Sequence, residues 1–230
     1  MRQFYLRFLL IFSILTSVAL VSCTVNKEVI EEVIKNTPAK PEMKVVSREG
    51  GEVFFDDFST YGVGQQAPFG EWKIRSNGSY HIEEAVQPDG NIGKVLKTDN
   101  NGVLYIAADW KDYLLEVNTK DGEPGVYFRV SDDGSKGYYV TKELGHMTGL
   151  RLYKFAGSQK KKIAESQGMD TKDWYYVRIE LRGAEIKAFI NGKKLIDIID
   201  NDASLSSGGI GVGSCYGGVY FDNVRVAPIR

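Results

Sequence analysis

The stretch "DTKDWYYVRIELRGAEIKAFINGKKLIDIID", Asp170 to Asp200, decides the fold. Val177, Ile179 and Leu181 alternate with Arg178, Glu180 and Arg182, the period-two pattern of a strand with one buried and one wet face. "RGAE" and "NGKK" punctuate the run, and Asn191-Gly192 is a two-residue hairpin signal, because both central positions of such a turn need positive φ. Three antiparallel strands in a meander follow: "WYYVRIELR", "EIKAFIN" and "KKLIDII".

The same texture continues on both sides. From Glu52 onward, short runs rich in Val, Ile, Tyr and Phe are separated by Gly, Asn and Asp clusters roughly every ten residues, the spacing of a sandwich or barrel. "EVFFDDF", "YHIEE", "VLYIAA", "DYLLEVNT", "GVYFRVS", "GYYVTKE", "LRLYKFA", "GGIGVGS" and "VYFDNVRV" are all candidate strands. No helical segment of useful length interrupts them, and no propeller or solenoid repeat is visible. The expectation is an all-β chain forming one antiparallel β-sandwich over residues 52–230.

The N-terminus has another character. Met1 to Ser22 reads as a secretory signal, with Arg2 and Arg7 ahead of the apolar run Phe8 to Leu20, which is short for a bilayer span. Residues 23–51 are charged, carry Pro38 and Pro41 and lack aromatics, which suits a flexible tether; "NKEVIEEVIKN" within it has the spacing of a short helix. Leu20, Val21 and Ser22 before Cys23 resemble a bacterial lipobox, which implies a lipid on Cys23 and a place in the cell envelope, anchored to a membrane. An ordinary cleaved signal followed by a chance cysteine is the alternative. With Cys23 acylated, Cys215 has no partner within the chain and reads as a small buried residue. A net charge of −1 gives no case for a nucleic-acid partner.

The Asp170–Asp200 run followed by "GGIGVGSCYGGVYFDNVRV", with "FFDDFS", "EWKI" and "DWKDYLLEV" upstream in order, resembles the concanavalin A-like, laminin G-like jelly rolls. These occur in carbohydrate-binding modules and in the 3-keto-disaccharide hydrolase domain. The resemblance covers Glu52 to Val226 and implies a jelly roll that binds carbohydrate, acts as a hydrolase of the 3-keto-disaccharide type, or serves as a structural, protein-binding surface domain.

Hydrolytic chemistry finds little support in the residues. Glu83 and Glu84 in "HIEEA" would point to opposite faces of a strand, and Asp197 and Asp200 in "LIDIID" are also out of phase, whereas glycoside hydrolysis needs two carboxylates facing each other. His81 and His146 are the chain's two histidines, and neither adjoins a serine or cysteine motif. Trp72, Trp110 and Trp174 read as core filling.

Pleat parity supplies a candidate binding face. Val126, Phe128 and Val130 are expected inward, which sends Tyr127 and Arg129 outward. Pairing Val130 with Tyr138 through the Asp133-Gly134 turn would set Tyr139 beside them, and the next strand would add Arg151, Tyr153 and Phe155. Tyrosines and forked guanidinium donors suit a carbohydrate, although the same side chains also suit cross-strand packing on a solvated sheet. Calcium is a candidate cofactor at Asp57 on the first strand and Asp222 on the last, where converging carboxylates suit the ion; hydrogen bonding to nearby amides is the alternative.

Overall fold

The computed structural model describes residues 51–143, 149–169, 171 and 173–229. The signal segment 1–22, Cys23 and the tether up to residue 50 lie outside the described residues, as does His146.

The described chain is built of strands, joined by turns and one short 3-10 turn at Ala203–Leu205. In chain order they are β1 (Phe54–Asp56), β2 (Lys73–Ser76), β3 (Ser79–Val86), β4 (Ile92–Asp99) and β5 (Val103–Ile106). Next come β6 (Tyr113–Lys120), β7 (Glu123–Val130), β8 (Lys136–Glu143), β9 (Gly149–Ala156) and β10 (Gln159–Gln167). The last are β11 (Tyr175–Arg182), β12 (Glu185–Ile190), β13 (Lys193–Ile199), β14 (Gly209–Tyr216) and β15 (Val219–Pro228).

The strands form two antiparallel sheets. One runs β13-β12-β11-β6-β15-β4-β3, with β1 paired to β15; the other runs β10-β9-β8-β7-β14-β5-β2. The meander is as expected: Val177, Ile179 and Leu181 are buried, and the Asn191-Gly192 turn has φ of 49° and 78°. Inward residues of both sheets merge into one core that includes Trp72, Leu115, Phe128, Tyr138, Ile179, Val212 and Phe221. The molecule is therefore an all-β sandwich of jelly-roll type.

A second, smaller cluster lies on the far side of the β10-to-β2 sheet. Val103, Tyr105, Tyr127, Val130, Tyr139 and Phe155 pack there, with Tyr153 and Cys215 against them. Sheet faces turned to water do not ordinarily hold this much aromatic surface. This face carries the candidate site.

Candidate functional site

Three tyrosines form a ladder across adjacent strands. Tyr127 on β7 lies opposite Tyr139 on β8, and Tyr139 opposite Tyr153 on β9. Ring centroids are 5.0 Å apart at each step, with interplanar angles of 27° and 10°. Phe155 meets Tyr127 edge-on at 5.8 Å. Aromatic pairs directly across an antiparallel ladder are a favourable sheet contact, so the register itself holds the ladder.

Beside the ladder the sheet drops to backbone. Gly211 on β14 pairs with Tyr127 on one side and Tyr105 on the other. A Cβ on Gly211 would stand 3.2 and 3.3 Å from the Cβ atoms of those tyrosines, tighter than nearly all real contacts, so the position is kept bare. Gly125 does the same for the ring of Tyr127, which lies 2.7 Å from where a Cβ would be. A groove of about 370 Å³ opens on this face, lined among others by Arg75, Tyr127, Tyr139, Phe155, Lys160 and Cys215.

The expected site is thus assembled in part. Tyr127, Tyr139 and Tyr153 come together, and Phe155 joins them. Arg151 sits opposite Thr141 on the next rung and lies 3.6 Å from Glu165, beyond the groove.

Arg129 departs from the expectation. A bulge pairs Gly209 with Val130 but Ile210 with Phe128, so Arg129 is the extra residue, at φ 48°. The bulge reverses the parity beyond it: Val130 joins the outer cluster, and Arg129 turns away until only 1% of it is exposed. Its Nη2 donates to the Gly183 carbonyl at 2.5 Å, and its backbone N–H donates to the Tyr113 hydroxyl at 2.8 Å. The hairpin register moves as well, since Tyr138 pairs with Phe128 instead of Val130.

The guanidinium in the groove is that of Arg75, which parity arguments on the hairpin could not reach because β2 lies at the other edge of the sheet. Its carbon stands 4.4 Å from the Phe155 centroid, and Nε donates to the Gly134 carbonyl at 2.7 Å. Nη2 donates to the Gly157 carbonyl at 3.3 Å. Burial pushes the hydroxyl pKa values of Tyr127 and Tyr139 upward, and that of the Cys215 thiol as well. All three stay protonated at neutral pH and act as hydrogen-bond donors.

Residues 52–227 match the sequence profile of the family described as 3-keto-alpha-glucoside-1,2-lyase-like domain. The chain belongs to this family. The Methanocaldococcus jannaschii protein MJ0945 is 38% identical over 184 residues, covering 77% of this chain and 80% of that one. Among solved structures, the carbohydrate-binding module CBM66 from Bacillus subtilis aligns with a TM-score of 0.56 at 22% identity, over 68% of this chain and 95% of its own. A Bacillus subtilis protein with a galectin-like fold aligns at 0.55 and 12% identity, over 78% and 97%. A family 16 endo-glucanase from Bacteroides ovatus aligns at 0.53 and 9% identity, over 76% and 99%. At these identities the solved structures speak for the fold alone.

In this member of the 3-keto-alpha-glucoside-1,2-lyase-like family, base-capable side chains gather on the outer face of the other sheet. Glu83 accepts from the Tyr220 hydroxyl at 3.0 Å, with Lys97 Nζ at 3.1 Å and His81 Nε2 at 3.4 Å. Burial works to raise the Glu83 carboxyl, but hydrogen bonds from Lys97 and Tyr220 outweigh it and leave the group below its usual value.

Asp57 and Asp222 share a corner, because β1 pairs with β15 through Asp56 and Val224. Asp222 is fully buried. Its Oδ1 accepts from the Asn223 N–H at 2.8 Å and its Oδ2 from Gln87 at 3.1 Å. Burial, with smaller contributions from Asp57 and Asp89, pushes its carboxyl up to about 8. Asp57 Oδ1 accepts from the Ser59 hydroxyl at 2.6 Å and its N–H at 3.1 Å. Among the described residues no three His, Cys, Asp or Glu side chains are placed to hold a metal ion. A calcium ion at this corner would therefore need backbone or amide oxygens besides the two carboxylates.

Proposed function

We propose that this domain binds a saccharide in the groove on the outer face of the β10-to-β2 sheet, and that a lipid on Cys23 holds it at a membrane of the cell envelope. The observation that carries the binding reading is the aromatic groove wall of Tyr127, Tyr139 and Phe155, part of the tyrosine ladder, with the Arg75 guanidinium pinned beside it. Tyr139 is stacked on both faces, so it offers a ligand its edge and hydroxyl; Tyr153, half-buried at the end of the ladder, does not line the groove itself but offers ring surface next to the groove-lining Tyr139. Neutral hydroxyls, amides and a fixed guanidinium are the donors that sugar hydroxyls accept from.

A glycan array probed with the Cys23→Ala chain, followed by titration of the best ligand against Tyr153→Ala, tests this reading. Weakening in the variant while it remains folded at the assay temperature supports it. Equal affinity in both proteins would take the ligand away from the ladder.

A second reading follows from the family. An enzyme acting on 3-keto-glucosides would need a base to remove the proton beside the keto group, and among the described residues no carboxylate lines the groove. The base would come from the His81–Glu83–Lys97–Tyr220 cluster, on the opposite sheet. Turnover of a 3-keto-glucoside that disappears in His81→Gln would favour this reading, and no turnover would count against it.

A further inference from the structure

We infer that the saccharide taken by this groove is anionic, bearing a carboxylate as in a uronic acid or a sulfate ester. This rests on the groove being the saccharide site proposed above.

Among the described residues, the charged side chains lining the groove are Arg75 and Lys160, and no Asp or Glu lines it. Composition does not explain this, since the chain carries 29 Lys and Arg against 30 Asp and Glu. Two cations on the same pair of strands outside the groove are matched: Lys162 and Arg151 both reach Glu165, at 2.5 and 3.6 Å.

Arg75 is held by two backbone carbonyls and the face of Phe155. Those two bonds use two of its five N–H groups, so the rest of a pre-oriented fork is left to receive an oxyanion. Lys160, the second residue of β10, has its Nζ 5.8 Å from the Tyr153 centroid, which places an ammonium over the end of the ladder. A neutral sugar seated here would strip water from both cations and return only hydroxyl contacts. An acidic sugar returns opposite charge to the half-buried Arg75 guanidinium and the exposed Lys160 ammonium, offsetting the water it displaces from them.

The experiment titrates the Cys23→Ala chain with a uronate oligosaccharide, a sulfated oligosaccharide and a neutral one of equal length, at low and physiological salt. The expected result is that at least one acidic ligand binds about tenfold or more tightly than the neutral one, with affinity falling as salt rises. Lys160→Gln, at an exposed position, should lose about tenfold for the acidic ligand while melting as the parent does; Arg75→Gln should lose as much or more. The two acidic arms tell carboxylate from sulfate. A neutral ligand that binds as well as the acidic ones, and is weakened by Tyr153→Ala, overturns the charge inference and leaves the groove as a sugar site. Binding of none of the three overturns both.

Discussion

Tyr127 and Tyr139 face each other across β7 and β8 with ring centroids 5.0 Å apart, and each is only 6% exposed although both stand on the outer side of their sheet. The ladder is therefore a structural element as well as a candidate ligand wall. Tyr139→Ala removes the middle rung and exposes the flanks of two neighbours. We expect a loss of about 3 kcal/mol, the usual scale for truncating a buried aromatic. Tyr139→Phe keeps the stack and should cost well under half of that. Urea denaturation of the two variants checks this, and similar losses in both would mean that the hydroxyl, not the ring, supplies the stability.

Arg129 crosses from β7 to the Gly183 carbonyl in the β11–β12 turn, and thereby ties one sheet to the other. Its charge is buried at 1% exposure. Arg129→Ala should lower stability by about 2 to 3 kcal/mol, the range for losing a charged hydrogen bond and leaving a carbonyl unpaired. Saccharide affinity should not change, because Arg129 does not line the groove. Parallel melting and titration of the variant separate the two effects, and a binding loss without a stability loss would contradict this assignment.

The sandwich was legible because its signals are local. Alternation in Val177–Arg182 and the Asn-Gly turn need no knowledge of distant residues, and both appear as expected. That Tyr127, Tyr139 and Tyr153 share a face was legible for the same reason, since parity on three consecutive strands suffices; that Tyr139 stands directly opposite Tyr127 was not, because the expected register set Tyr138 opposite Val130. Arg129 was not, because one inserted residue reverses the parity of everything after it, and nothing in "GVYFRVS" marks a bulge when the residue at positive φ is an arginine. Arg75 was out of reach for another reason. It meets Phe155 only because β2 and β9 belong to one sheet, a matter of strand order, which local patterns do not carry.

The lipid anchor is a proposal drawn from Leu20 to Cys23. Cells fed a labelled fatty acid should mark the parent chain and not Cys23→Ala, and the variant should move to the soluble fraction. Acyl chains contribute about 0.8 kcal/mol per buried methylene, so losing them should shift the partition almost completely. Label on the alanine variant would place any lipid elsewhere.

Asp222 sets a pH dependence whose sign is opposite to that of most carboxylates. Its folded value of about 8 lies above the ordinary 3.8, so the folded protein holds this proton more tightly than the unfolded chain does. Below about pH 4 both states are protonated and the contribution is full. Between about pH 4 and 8 the unfolded chain releases the proton while the folded one keeps it, so stability falls as pH rises; above about 8 the loss is complete. Each unit between the two values is worth about 1.4 kcal/mol, so the decline should be readily measured. Asp222→Asn, neutral throughout, should flatten the curve and gain on the parent toward high pH. A parent whose stability does not fall relative to the variant across this window would show that Asp222 ionises normally. Calcium, proposed as the ion for this corner, should act where the proton is leaving. A hundredfold excess over Kd adds about 2.7 kcal/mol to a folded state that alone binds it, so millimolar calcium should raise the melting temperature at pH 8 and do little at pH 4. Identical melting in calcium and in chelator at pH 8 would leave Asp222 with the hydrogen bonds it receives from Gln87 and Asn223 as its whole role.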